Sequence, residues 1–193
     1  YAKKLETYYL ANRDKNLFFA LLGDFCDADS KENEPLDWEI VNAGIDSVLK
    51  LNEKYSGSKD GPFYFFHRHR KWNEKEGCWM GWERKRGKLE EFNRLLLGGQ
   101  DTSFDVAIGN RSVFPSIKYV ITIDADTELN KGTAAKMIGI MAHPLNKPVL
   151  NKDGTKVVGG YAILQPRIGV RMSFANATLF SRIFSGHAGV DPY

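Results

Sequence analysis

Apolar runs short enough to be buried strands alternate along this chain with segments whose apolar residues recur at helical spacing. "NLFFALLGDF" (16–25) is a compact apolar run closing on polar residues, and "DWEIVNAGIDSVLKLNEKY" (37–55) carries Ile40, Gly44, Val48, Leu51 and Tyr55 at helical spacing. "PFYFFHRH" (62–69) reads as an aromatic strand. "ERKRGKLEEFNRLLLGG" (83–99) places Leu89, Phe92 and Leu96 on one helical stripe and stops at Gly98 and Gly99. "SIKYVITID" (116–124) is the most strand-like segment, followed by a helix in "GTAAKMIGIMAHP" (132–144) closed by Pro144, a strand in "KVVGGYAILQPR" (156–167) and an amphipathic helix in "ANATLFSRIFSG" (175–186). Such alternation, with strands apolar on both faces, predicts an α/β fold with a mainly parallel sheet flanked by helices. The breaks at 30–35, 56–62, 98–103 and 151–156 are short loops, so residues 1–193 are expected to form a single domain.

Composition narrows the class. With 42% hydrophobic and 26% charged residues the chain is that of a soluble globular protein, and a net charge of +3 does not by itself call for nucleic acid or membrane. The charge is unevenly placed: between His67 and Lys88 lie eight Lys or Arg residues, three Trp and two His, a concentration suited to an anionic ligand. Cys26 and Cys78 are the only cysteines and read as reduced thiols in a cytosolic setting. No apolar stretch is long enough to span a bilayer. A chain that opens on Tyr1 and stops after "GVDPY" is expected to be a piece of a longer protein.

In open α/β sheets ligands bind at the carboxyl ends of strands, and Asp24, Asp124 and Asp126 fall there. On an extended strand Asp124 and Asp126 project to the same side across Ala125. Two like charges so placed need a compensating cation, and a hard divalent ion such as Mg²⁺ or Mn²⁺ with a diphosphate completing its shell supplies one. Equally, Asp124 can end the strand while Asp126 caps the next turn. Gly87 and Lys88 open a helix whose free N–H groups favour an anion, or form a solvated basic face. Asp24 can accept a hydrogen bond from a base or ribose, or close an Asx-turn with Asp27 nearby.

These segments resemble the glycosyltransferase domain of cyclic β-1,2-glucan synthases. The resemblance rests on "LETYYLANRDKNLFFALLGDF", "FHRHRKWNEKEGCWMGWERKRGKLEEFNRLL", "YVITIDADTEL", "MAHPLN", "GYAILQPRIGV" and "DPY", with "WMGWERKRGKLEEFN" the most specific. It implies a GT-A-like fold of the processive β-glycan synthase type. That fold is expected to lack the family's first strand, which lies between the second strand and the one carrying "DAD". It also implies transfer of glucose from UDP-glucose, with Mg²⁺ or Mn²⁺, onto a growing β-1,2-glucan with inversion. On that pattern Asp24 meets the uracil end of the donor, Lys88 lies near the nucleotide, Asp126 binds the metal, and Asp124 sits beside the ribose or donor sugar. Gln165 and Arg167 line the donor or acceptor pocket. The catalytic base and the membrane segments would follow Tyr193, in a larger membrane-anchored synthase at the cytoplasmic face of the bacterial inner membrane. The fragment itself is expected to be soluble and to lack turnover, with no nucleic-acid partner.

Two other readings compete. A non-catalytic anion or nucleic-acid binding module would use the 67–88 cluster with its interleaved Trp. A glycoside hydrolase or phosphorylase would need carboxylates facing each other across a scissile bond, an arrangement that neighbours on one strand end do not give. His67 and His69 share a strand face but have no Cys or carboxylate at a familiar zinc interval. His143 and His187 read as structural. Trp72, Trp79 and Trp82 can stack on sugar rings or fill the core and rim of their loop.

Overall fold

The computed structural model describes residues 1–31, 36–166 and 178–184. It divides into two compact units, Tyr1–Ala134 and Ala135–Tyr193.

The first unit is built on a three-stranded mixed sheet. Strand β1 (Phe19–Asp24) pairs in parallel with β2 (Phe63–Arg68), and β2 pairs antiparallel with β5 (Phe104–Ile108). All six residues of β2 are buried, as a central strand covered on both faces requires. Its alternating side chains separate two cores. Phe63 and Phe65 pack with Leu5 and Tyr9 of α1 (Ala2–Ala11), Phe19, and Val41, Val48 and Leu51 of α2 (Asp37–Ser56). Tyr64 and Phe66 turn to the other face and pack with Phe92 and Leu95 of α3 (Arg84–Leu96). Each such burial stabilises the fold by about 1.5–3 kcal/mol. The expected α/β architecture, a mixed sheet flanked by helices, is present, with one parallel and one antiparallel pairing in place of a parallel majority.

Chain entry into β2 is fixed by Asn52 near the end of α2. Its amide donates to the Phe63 carbonyl at 2.9 Å and its oxygen accepts from the Phe63 amide at 2.9 Å. At the other end of β2 a short hairpin follows, β3 (Lys71–Asn73) and β4 (Cys78–Met80), with Ala28 bridging to Trp79. It hangs at the carboxyl end of the sheet.

One expectation is overturned. Residues 117–124 form no strand: no strand among the described residues pairs with them, and β1 likewise has only β2 beside it. A strand exists through its ladder, and apolar alternation within one segment does not supply the partner. Tyr119 and Val120 are accordingly exposed. The segment is nevertheless anchored at its end. Lys4 of α1 donates to the Ala125 carbonyl at 2.6 Å, and Tyr8 donates to the Thr127 carbonyl at 2.5 Å.

Helix α4 (Thr133–Ala142) begins where the first unit ends, and its Ala134 amide donates to Asn12 at 3.2 Å. The second unit carries a small antiparallel pair, β6 (Val149–Leu150) and β7 (Val157–Gly159), and the helix α5 (Leu179–Phe184). The strand expected over 156–167 is therefore confined to Val157–Gly159; beyond it, residues 161–166 are irregular. Among the described residues no helix is long and apolar enough to cross a membrane.

Candidate functional site

Asp24 is the last residue of β1, directly opposite Arg68, the last residue of β2. The parallel pairing puts both at the carboxyl edge of the sheet. Arg68 is wholly buried, and its guanidinium is satisfied on every side. Nε donates to Asp24 at 2.6 Å, Nη1 to Glu91 at 3.0 Å and to the Trp82 carbonyl at 3.1 Å, and Nη2 to the Arg84 carbonyl at 3.0 Å. Glu91, from α3, is also buried and accepts from Ser103 and from Lys71. One cation thus ties together the end of the sheet, the start of α3 and the carboxylate of Asp24.

The second cation on Asp24 is Lys88. Its Nζ lies 2.9 Å from Asp24 Oδ2, with both side chains largely covered. Burial alone would raise the Asp24 pKa; the hydrogen bonds from Arg68 and Lys88 outweigh it and hold the carboxyl below its ordinary value. Glu91 behaves the same way, burial opposing and the bonds from Ser103, Arg68 and Lys71 winning. Both groups are carboxylates at neutral pH.

The backbone before α3 makes a corner that few sequences tolerate. Glu83 and Arg84 are both left-handed, at φ 49° and 48°, a conformation that costs about 1–2 kcal/mol per non-glycine residue. The two carbonyls bound by Arg68, those of Trp82 and Arg84, flank this corner and hold it. Gly87 lets the first helical turn close on Trp82: a Cβ there would lie 2.1 Å from the Trp82 carbonyl oxygen. Gly81 serves similarly, since a Cβ would come within 2.9 Å of both the Asp24 carboxyl carbon and Arg68 Nη2.

The first turn of α3 has no acidic residue and carries Arg84, Lys85, Arg86 and then Lys88, although its N-terminus is already the positive end of the dipole. Lys85 reaches Asp124, its Nζ 2.5 Å from Oδ1. Asp24 and Asp124 are therefore joined through neighbouring lysines of one helix turn. Asp126 is exposed, and its side chain accepts from Thr127 Oγ1 at 3.4 Å. The strand expected to project Asp124 and Asp126 to the same side is absent. Residues 124–127 form a turn closed by the Thr127 amide on the Asp124 carbonyl at 3.1 Å. The described residues hold no group of three or more His, Cys, Asp or Glu able to bind a metal by themselves.

The other predicted residues separate. Gln165 is exposed in the irregular segment of the second unit, and Arg167 lies outside the described residues. His67 is buried against Phe25 with ring centroids 4.2 Å apart, and burial pushes its pKa below the ordinary value. His69 bonds Asp105 at 2.9 Å, so the two histidines serve different contacts. Arg68, Lys85 and Glu91 escape a reading of periodicity. The available signal was a charged residue inside "FYFFHR", a run otherwise suited to burial on both faces, because a buried arginine demands carboxylate partners.

No protein-family model matches the chain. Over 192 residues, 99% of its length, it is 42% identical to cyclic beta-(1,2)-glucan synthase NdvB of Rhizobium meliloti (strain 1021). It is homologous to a segment of a cyclic β-(1,2)-glucan synthase. The chain spans 7% of that relative's length. Identity on this scale bears out the resemblance read from the motifs, from "LETYYL" near the start through "DPY" at the end. The Asp24, Arg68, Lys88 cluster and the Asp124 turn thus belong to a chain related to a glucan synthase.

Proposed function

We propose that this chain is the donor-binding part of a GT-A-like glycosyltransferase, one that takes glucose from UDP-glucose and extends a β-1,2-glucan with inversion, with Mg²⁺ or Mn²⁺. One observation carries the reading: two acidic segments, Asp24 and Asp124–Asp126, converge on the lysines of a single helix turn at the carboxyl edge of the sheet. Similarity to a named glucan synthase supports it. The stretches "WERKRGKLEEFN" and "YVITIDADTEL", quoted for the resemblance, are the two that meet there.

The residues suit the chemistry. A hard cation takes one or two carboxylate oxygens from a protein and completes its shell with phosphate and water, so Asp126, with Asp124, is a sufficient protein contribution. Once bound, the metal neutralises charge growing on the UDP leaving group. Lys85 and Lys88 hold their ammonium groups on carboxylates at 2.5 and 2.9 Å, ready to exchange part of that pairing for a diphosphate. Asp24, kept ionised by Arg68 and Lys88, offers an acceptor to the N–H or O–H groups of a nucleoside. Arg68 sets its position.

The nucleic-acid module is less well supported. Seven of the eight basic residues of the 67–88 cluster are ion-paired: Arg68 and Lys88 to Asp24, Arg70 to Asp37, Lys71 to Glu91, Arg84 to Asp27 and Glu76, Lys85 to Asp124 and Arg86 to Glu83. A phosphate backbone would have to displace carboxylates along the whole cluster, where a diphosphate need displace them only at Lys85 and Lys88. Isothermal titration with UDP and UDP-glucose, with and without Mn²⁺, tests the proposal. Metal-dependent binding lost in Asp126→Ala is the expected result; binding of RNA with a steep salt dependence, and none of UDP, would sink it.

A further inference from the structure

The β3–β4 hairpin has two unlike faces. On one, Met80 is buried, Asn73 donates to its sulfur, and Lys71 reaches Glu91. On the other, Trp72 and Trp79 stand directly opposite each other in the register, ring centroids 5.8 Å apart and planes inclined by 57°. Trp72 is 49% exposed. A two-stranded hairpin of three-residue strands gains little by leaving the Trp72 indole half in water beside a partly buried Trp79, and aromatic surfaces of this kind mark ligand sites. Trp82 packs instead against Gly87.

The surface continues. The Lys31 ammonium sits 5.9 Å from the Trp79 ring centroid, and Lys31 also lines a cavity of about 200 Å³ with Phe25, Trp38 and His69. Trp38 is half exposed and packs edge-on to Phe25 at 6.1 Å. Two Trp-bearing surfaces therefore share one lysine at their junction. The hairpin is tied to the donor end of the sheet: Ala28 bridges Trp79, and Gly81, next after β4, abuts Asp24.

We infer that Trp72 and Trp79 form a stacking platform for a β-linked glucan chain, with Lys31 and the adjoining cavity continuing the track. The choice of ligand rests on the glucan-synthase reading above. A pyranose presents flat C–H faces that pack on indoles and equatorial hydroxyls that lysine, histidine and aspartate can bond, and it brings no charge. That last property matches a surface where Arg70, Lys71 and Arg84 are already paired with carboxylates. The platform acts on polymer, apart from the groups that meet the nucleotide.

The test is titration of the 193-residue chain with linear β-(1,2)-glucooligosaccharides, followed by tryptophan fluorescence and calorimetry, beside a separate UDP titration. Trp72→Ala is expected to weaken glucan binding about tenfold, equivalent to about 1.4 kcal/mol, with UDP binding unchanged, and Trp72→Phe to retain most of it. Asp24→Asn should do the reverse. Saturation transfer from indole protons to sugar protons in the unsubstituted chain gives the same answer without a variant. Glucan binding that is absent, or that stays in both Trp72→Ala and Trp79→Ala as tight as in the unsubstituted chain, or no indole-to-sugar transfer, overturns the platform. If UDP binds in that case, the donor reading stands alone; glucan bound through Trp72 without UDP binding leaves the platform and removes the donor site. Concentration-dependent dimerisation abolished by Trp72→Ala, with no saccharide response, would reassign the face to a second copy of the chain.

Discussion

Asp24 and Asp124 each hold one lysine of the same helix turn, Lys88 and Lys85, from supports of very different stiffness. Asp24 ends a strand bonded along its length to β2, and its carboxylate is held by a buried arginine. Asp124 ends an extended segment with no strand partner among the described residues, and its carboxylate meets an exposed lysine. One arm of the site is preorganised by the core. The other is secured by Lys4, Tyr8 and Lys85, contacts at its tip. Such an arrangement suits a site in which one carboxylate must stay put while the other accommodates a ligand.

The sharpest way to break the contrast is at Arg68. Arg68→Ala leaves the buried Glu91 and the partly buried Asp24 without their shared cation, and a loss of about 3–5 kcal/mol is expected in chemical denaturation. UDP binding should fall with it. Gly87→Ala comes next. The Trp82 carbonyl stands 2.1 Å from where the new Cβ would lie, so α3 must shift, at a cost of about 1–3 kcal/mol read from the same experiment.

Acid should act on the stiff arm first. His67, Asp24 and Glu91 all have folded pKa values below their ordinary ones of 6.5, 3.8 and 4.5. Each therefore binds fewer protons folded than unfolded, and the stability it contributes is complete above the ordinary value and lost as pH falls toward the folded one. Melting temperature is expected to begin dropping below about pH 6.5, through His67, and to fall further below 4.5 as the carboxylates follow. A flat profile across that range would contradict the burial of His67 and the hydrogen bonds assigned to Asp24 and Glu91.

On the compliant arm effects should be small in stability and large in exchange. Lys85→Ala removes an exposed pair, costing less than about 1 kcal/mol, while amide exchange in residues 124–127 quickens. Asp126→Ala should change stability by no more than about 0.5 kcal/mol. If either variant unfolded the chain, the two arms would not differ as described.

The same difference explains what the sequence disclosed. β1, α2, β2 and α3 were legible because their periodicity reports burial directly, and the core buries Phe63, Phe65, Val48 and Phe92 as that periodicity requires. The segment 117–124 has equally good alternation, but a strand is a property of two segments, and its partner is not written in its own residues. β5 and the hairpin were missed because short strands leave little period to read. At the site, Asp24 and Lys88 were found by their position after a strand and in a helix opening. The link between them, Arg68, depends on the parallel register, and no local pattern encodes that.

The left-handed pair at Glu83 and Arg84 has a further consequence. It means that the corner presenting both lysines is held against its own preference, by carbonyl bonds to a single guanidinium. A glycine at position 83 would let that corner relax, and the resulting protein should resist heat better while gripping its ligand worse. Screening this chain for durability alone would select against its alignment.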